Sequence, residues 1–182
     1  MRLEIAHPKI NDLKFGTMLS RENMRSFGGE YTNEELQIVE EIALVAKSEL
    51  KKECIKYNKT GFILSVAFSS KTPIMIQLGE IKKADDDYGD DGKKLKYLDF
   101  ARSKIVVLQS NTLFTRSSEN VNLSNKFLTV IKHKDVPAGG VAFDNGYIIS
   151  ISGLSDDPFK DEKASLKIGK VLGFKEATSS NF

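Results

Sequence analysis

Few residues in this chain have the types and spacing that chemistry requires. His7 and His133 are the only two histidines among 182 residues. An imidazole works as a metal ligand or general base when a second donor or an orienting carboxylate stands close by. Neither histidine has a cysteine or an acidic pair at ligand spacing, so both read as ordinary surface residues. Cys54 is the single cysteine, which rules out an intrachain disulfide and a thiolate zinc cluster. Its position on the apolar side of a helical pattern marks it as core. The run Asp85-Asp86-Asp87-Tyr88-Gly89-Asp90-Asp91-Gly92 has the oxygen content of a calcium loop but fails its register. Counted from Asp87, the third position is Gly89 and the twelfth is Leu98, where a carboxylate is needed. It reads as a solvated acidic loop. The chain contains no G-x-S-x-G, G-x-G-x-x-G or G-x-x-x-x-G-K pattern, so no familiar nucleophile elbow or phosphate cradle is present.

Arg102 asks for more explanation. At about 100° per residue it falls about 40° from Leu98, inside the arc of Leu95, Leu98 and Ile105. A guanidinium within an apolar stripe must snorkel, pair with a carboxylate or meet an anionic ligand. Arg102 is therefore the expected partner of a ligand carboxylate. Lys104, read as lying off the stripe, and Arg116, in the following loop, would form a cationic rim beside it.

The elements that must position these residues follow from periodicity. Residues 1–30 have weak patterning and read as an N-terminal arm; a single domain is expected over 31–182. Thr32 with Glu35 three residues on makes a capping box. Leu36, Val39, Ala43, Ala46 and Leu50 then repeat at helical spacing, widened by Ile38, Ile42 and Val45. Asn58 to Gly61 ends that helix. Residues 62–68 and 74–78 read as the two strands of a hairpin. A second helix is expected from Lys93, with Leu95, Leu98, Ala101, Ile105 and Leu108 on its apolar face. Residues 111–126 are polar and loop-like, with room for a short helix. Strands are expected at 127–131 and 147–152, the latter entered through an Asn145-Gly146 turn. Asp156-Asp157-Pro158 opens a last helix with Ala164, Ile168 and Val171 on one face. Strands in runs between helices predict an α+β fold, with an antiparallel sheet and helices packed on its faces, and no doubly wound nucleotide fold.

Composition narrows the function classes. Hydrophobic residues make up 40% of the chain and charged residues 29%, as in an ordinary globular domain. Lys and Arg total 27 against 25 Asp and Glu. The resulting net charge of +2 gives no bulk attraction to nucleic acid or to an anionic membrane surface. No apolar run approaches the ~20 residues of a membrane span. Residues 1–10 lack an apolar signal core, so a cytoplasmic location is expected and the sequons at Asn58 and Asn122 are chance matches.

Three further segments carry a likeness. Residues 137–143, Pro-Ala-Gly-Gly-Val-Ala-Phe, are followed by a strand ending in Ser152-Gly153 and by Asp161-Glu162-Lys163-Ala164 at a helix start. With Ala101-Arg102-Ser103-Lys104, they resemble the signature of the GlcG/HbpS-like family. In element order the likeness spans residues 32–173, while its motifs are confined to these patches. It implies a profilin-like fold, assembly into homo-oligomers, and a small-molecule ligand, with haem the family's best suggestion. It places that ligand near Arg102, Lys104, Gly139, Gly140, Ser152 and Gly153. Ala138 stands where some relatives carry His, and Val141 follows the glycines where the family has Pro. Neither His7 nor His133 falls on a motif position, so no haem ligand carries over. Asp161 and Glu162 have a structural reason of their own, since negative charge suits the first turn of a helix. The resemblance thus implies a ligand-binding oligomer. A structural or assembly module is the alternative, a haem-degrading enzyme the further one, and no catalytic residue is assigned.

Overall fold

Thr32 begins the ordered architecture as its side chain predicts. In the computed structural model, which describes residues 31–81, 96–110, 115–122 and 138–178, Thr32 Oγ1 accepts from the Glu35 amide at 3.2 Å. The Glu35 carboxylate accepts from the Thr32 amide at 2.9 Å in return, completing the capping box. Helix α1 then runs Asn33–Lys56 and stops at Asn58, which takes a left-handed φ of 53° that asparagine tolerates. Strands β1 (Gly61–Phe68) and β2 (Ile74–Gly79) form the expected hairpin, pairing antiparallel from Gly61↔Gly79 to Val66↔Ile74. Helix α2 is described over Lys96–Ser110, and a 3-10 turn covers Ser117–Asn122. A three-residue strand β3 (Gly140–Ala142) leads through the Asn145-Gly146 turn into β4 (Tyr147–Ser152). The turn is a three-residue loop: Gly146 donates to Phe143 O, and Phe143 donates to Tyr147 O. Gly146 closes it at φ 88°, as such bulged hairpins require. Asp157 caps helix α3 (Pro158–Val171) through the Phe159 amide at 3.0 Å, with Pro158 in the first turn.

These strands form one antiparallel sheet in the order β2-β1-β4-β3. Strand alternation sends Phe62, Leu64, Val66, Ile74, Ile76, Leu78, Ile149 and Ile151 to one face. There they pack with Leu36, Val39, Ile42, Ala43, Ala46 and Leu50 of α1 and with Ala164 and Ile168 of α3. The two helices run antiparallel, as Lys167 reaches Glu49 and Glu53 while Lys160 lies over the Tyr57 ring. On the opposite face, Ile105 and Leu108 of α2 pack on Ala67, Ala142 and Ile148. The result is the expected α+β layering, with helices on both faces and β1 and β4 at the centre. All six residues of β4 are buried because both of its faces are covered.

Three details differ from the sequence reading. Gly140–Ala142 pairs as a strand, although its three residues are too few to show a period. Val171 is 53% exposed, since α3 turns Asp161, Glu162, Ser165 and Gly169 inward and leaves Val171 on the flank. Arg102 and Lys104 exchange roles, as described below. The acidic run 85–92, the expected strand 127–131, His7 and His133 lie outside the described residues. Among the described residues, no helix is long and apolar enough to cross a membrane.

Candidate functional site

Helix α2 sets the first coordinate of the site. Taking Ala101 as the origin, Lys104 falls at about −60°, Leu108 at about −20°, Ile105 at about +40° and Arg102 at about +100°. Ala101, Ile105 and Leu108 are fully buried, so the true centre of the inward face lies on the Lys104 side. Lys104 is 1% exposed and Arg102 is exposed to solvent. This corrects the sequence reading, which placed Arg102 within the stripe and Lys104 on an open rim. The stripe had been centred too far toward Leu95 and Leu98; Leu98 is only half-buried. Arg116 does not reach the rim as a free cation, because its guanidinium grips Glu176 with the Nη2–Oε2 contact at 2.8 Å.

Lys104 extends past the point where β3 begins and crosses from the α2 face of the sheet toward α3. Its Nζ donates to Ile151 O at 2.6 Å and stands 3.8 Å from Asp161 Oδ2. Gly139 is what leaves room for it. A Cβ at that position would sit 2.4 Å from Lys104 Nζ, and the backbone there has φ 140°, which an L side chain rarely adopts. Gly139 is also held on both sides, since its carbonyl accepts from Ser165 Oγ at 2.6 Å and from the Ile151 amide at 3.0 Å. Gly140 donates to Ser117 Oγ at 2.9 Å.

The acidic half of the cluster comes from the first turns of α3. Asp161 Oδ1 accepts from the Ser155 amide at 3.1 Å, and the Gly153 amide donates to the same carboxyl. Glu162 gathers the 3-10 turn: it accepts from the Ser118 amide at 3.0 Å and from Ser118 Oγ at 2.7 Å. It also accepts from the Gly139 amide at 3.4 Å. Both acids are buried. Burial pushes the Asp161 carboxyl up to about 7, opposed by the Lys104 charge and the Gly153 and Ser155 amides. Burial likewise pulls the Lys104 ammonium down to about 8, opposed by the Asp161 and Glu162 carboxylates. Removal from water outweighs mutual attraction for both partners. A separation longer than a hydrogen bond has that consequence.

Of the residues singled out in the sequence, Lys104, Gly139, Gly140, Ser152 and Gly153 meet at this one corner. Ser152 is 2% exposed at the end of β4, on the same face as Ser150, whose hydroxyl donates to Ala101 O at 3.2 Å. Gly153 follows at φ 85°, with the Tyr97 ring where a side chain would stand. Arg102 lies on the outward side of α2. The sequence reading missed Ser117, Ser118 and Ser165, and it gave Asp161 and Glu162 no partner. The angular position of Lys104 between Ala101 and Leu108 was the signal that could have found their counter-charge.

The corner does not form a haem site from the described residues. Iron takes His, Cys, Met or Tyr as its axial ligand. Among the described residues at the corner, Tyr97 alone is of that kind. The corner's two buried carboxylates would repel haem propionates, and its buried ammonium, Lys104, is already engaged. Among the described residues no group of three or more His, Cys, Asp and Glu could hold a metal ion. Cys54 is 4% exposed in the core, and burial pushes its thiol up to about 11, the reverse of what a nucleophile needs. Comparisons with protein-family models, with curated proteins and with solved structures return no match to this chain.

Proposed function

We propose that this chain is a small-ligand-binding module of the kind its GlcG/HbpS-like motifs imply, assembled as a homo-oligomer and acting without a catalytic centre of its own. One observation carries the reading. Motif residues from α2, from the turn into β3, from the end of β4 and from the start of α3 converge on a single polar corner. A core needs no such convergence, since a buried ion pair adds little stability over well-packed apolar residues. The ligand this reading implies is a compact, carboxylated metabolite, with Arg102, exposed on the outward side of α2, as the cation the motifs offer it. Haem, the family's suggestion, would have to draw on His7 or His133, both outside the described residues.

The test is a titration of the purified protein with hemin, followed from the Soret region into the visible, beside a thermal-shift screen of mono- and dicarboxylic acids. A saturable response to an acid, weakened several-fold by Arg102→Ala, supports the reading. A saturable Soret shift supports haem and directs mutagenesis to the two histidines. Silence in both assays removes ligand binding.

A second reading has its own support. The corner's charged groups all have partners within the chain, which suits a joint that fixes the fold for assembly. A defined oligomer that retains no ligand and responds to none would favour this assembly module. Haem degradation is the least supported, because the described corner offers no iron ligand beyond Tyr97. Turnover of hemin with a reductant, abolished by His133→Ala, would establish it.

A further inference from the structure

Helix α1 separates its charges along its length. Over residues 33–45 every charged residue is an acid: Glu34, Glu35, Glu40 and Glu41. Over residues 46–56 the bases are Lys47, Lys51, Lys52 and Lys56, and the two acids there, Glu49 and Glu53, are both held by Lys167 at 3.3 Å. A solvated helix face gains stability when Lys follows Glu by three or four residues. None of the four acids over residues 33–45 has that partner on the helix. The helix dipole accounts for Glu34 and Glu35 in the first turn and Lys56 in the last, but its effect fades beyond those turns. Glu40, Glu41, Lys51 and Lys52 lie deeper and need another reason.

The outward band of the helix shows what that reason is. At about 100° per residue, with Leu36 at zero, the buried residues Val39, Ile42, Ala43, Ala46 and Leu50 fall between about 240° and 340°. On the far side, between about 100° and 200°, Glu34 and Glu41 are followed by Val45 and Ser48 and then by Lys52 and Lys56. Ile38 and Ile55 fall in the same band, one in each half. The four charged residues, Ser48 and Ile55 are exposed, while Ile38 and Val45 are half-buried. Read along the helix, the band is negative, then small and uncharged, then positive. Turned end for end, it complements itself.

We infer that this outward band of α1 is the surface on which two copies of the chain dock, antiparallel, about a two-fold axis between Val45 and Ser48. That register sets Glu41 of each copy opposite Lys52 of the other and Ile38 opposite Ile55, with Glu34 within a turn of Lys56. A two-fold contact uses one patch twice, so the patch must be complementary to itself. A band of a single sign would repel its own copy. Ser48, the smallest residue in the band, stands at the axis and lets the two helices approach. Ile38, Val45 and Ile55 supply apolar area, bordered by Phe159, exposed at the same end as Ile55. The inference rests on the homo-oligomer reading and names its surface.

Sedimentation of the full chain, in a concentration series reaching about 100 µM, tests it through charge reversal. The wild type should dimerise. Glu34→Lys/Glu41→Lys makes the band wholly positive and Lys52→Glu/Lys56→Glu makes it wholly negative, so each variant alone should dimerise about tenfold or more weakly. An equimolar mixture of the two should associate again, because each band then meets its opposite. Ser48→Arg, which places like charges at the axis on an exposed position, should give the same loss without touching either helix end. It stands in for a reversed variant that does not fold. Reversed variants that self-associate as tightly as the wild type, or a mixture that stays monomeric, would overturn this surface and leave assembly through another one standing. A wild type that is monomeric throughout the series would overturn both the surface and the homo-oligomer reading.

Discussion

A buried ammonium, two buried carboxyls and a glycine that makes room for them give the corner its chemistry. Lys104 and Asp161 are each costly to bury alone, so removing one should hurt more than removing both. Lys104→Met is expected to lower unfolding stability by about 3–5 kcal/mol at pH 7.5, the usual effect of stranding one partner of a buried pair. Lys104→Met/Asp161→Asn should recover most of that loss, and urea denaturation of the three proteins measures it. Equal losses in the single and double variants would mean that the Ile151 carbonyl, and not Asp161, is the partner that matters. Gly139→Ala combines an unfavourable φ with a Cβ lying on Lys104 Nζ, and should cost about 2 kcal/mol. Arg102→Ala touches only the surface and should stay within about 0.5 kcal/mol. At this scale the sequence was half legible. Types and positions named the corner, but a few tens of degrees in centring the α2 stripe decided which basic residue was inside. The acids at 161 and 162 looked sufficient as helix-dipole partners, and nothing local to them pointed at α2.

Elements carried their own instructions where local rules dominate. The capping box, the Asn58 stop and the Asp157-Pro158 start were readable because each depends on residues within four or five positions of one another, and the hairpin because its two strands are consecutive. Thr32→Ala should therefore destabilise the fold by about 1 kcal/mol, and Asp157→Ala by a similar amount, read as a lowered thermal midpoint. Strand β3 was illegible for the opposite reason. Its three residues show no period and owe their pairing to β4 and to the long-range bridge between Arg116 and Val141. Val171 illustrates the same limit on α3: helical spacing names a face, but the facing partner decides how far that face extends.

The whole molecule is a sheet covered on both faces. Among the described residues, α1 and α3 lie on one side and α2 on the other. The strand-run logic of the sequence was enough to predict that α+β layering, since nearly unbroken apolar runs such as those of β1 and β4 commit a strand to two covered faces. It could not say which helix covers which face, which depends on residues far apart in the chain. Ile55 and Phe159 are 72% and 56% exposed at the end where α1 finishes and α3 begins. Under the homo-oligomer proposal, Ile55→Ser/Phe159→Ser should shift the sedimentation profile toward smaller species. An unchanged profile would move the assembly surface elsewhere. The most direct test of ligand binding at the corner is an NMR titration of the nitrogen-labelled chain with carboxylic acids and, separately, hemin. Glycine amides at 139, 140 and 153 should shift saturably and together for one of these ligands, ahead of residues on the α1 side. Saturable shifts confined to other parts of the molecule, or none at all, would contradict a binding role for the corner and leave it a structural joint.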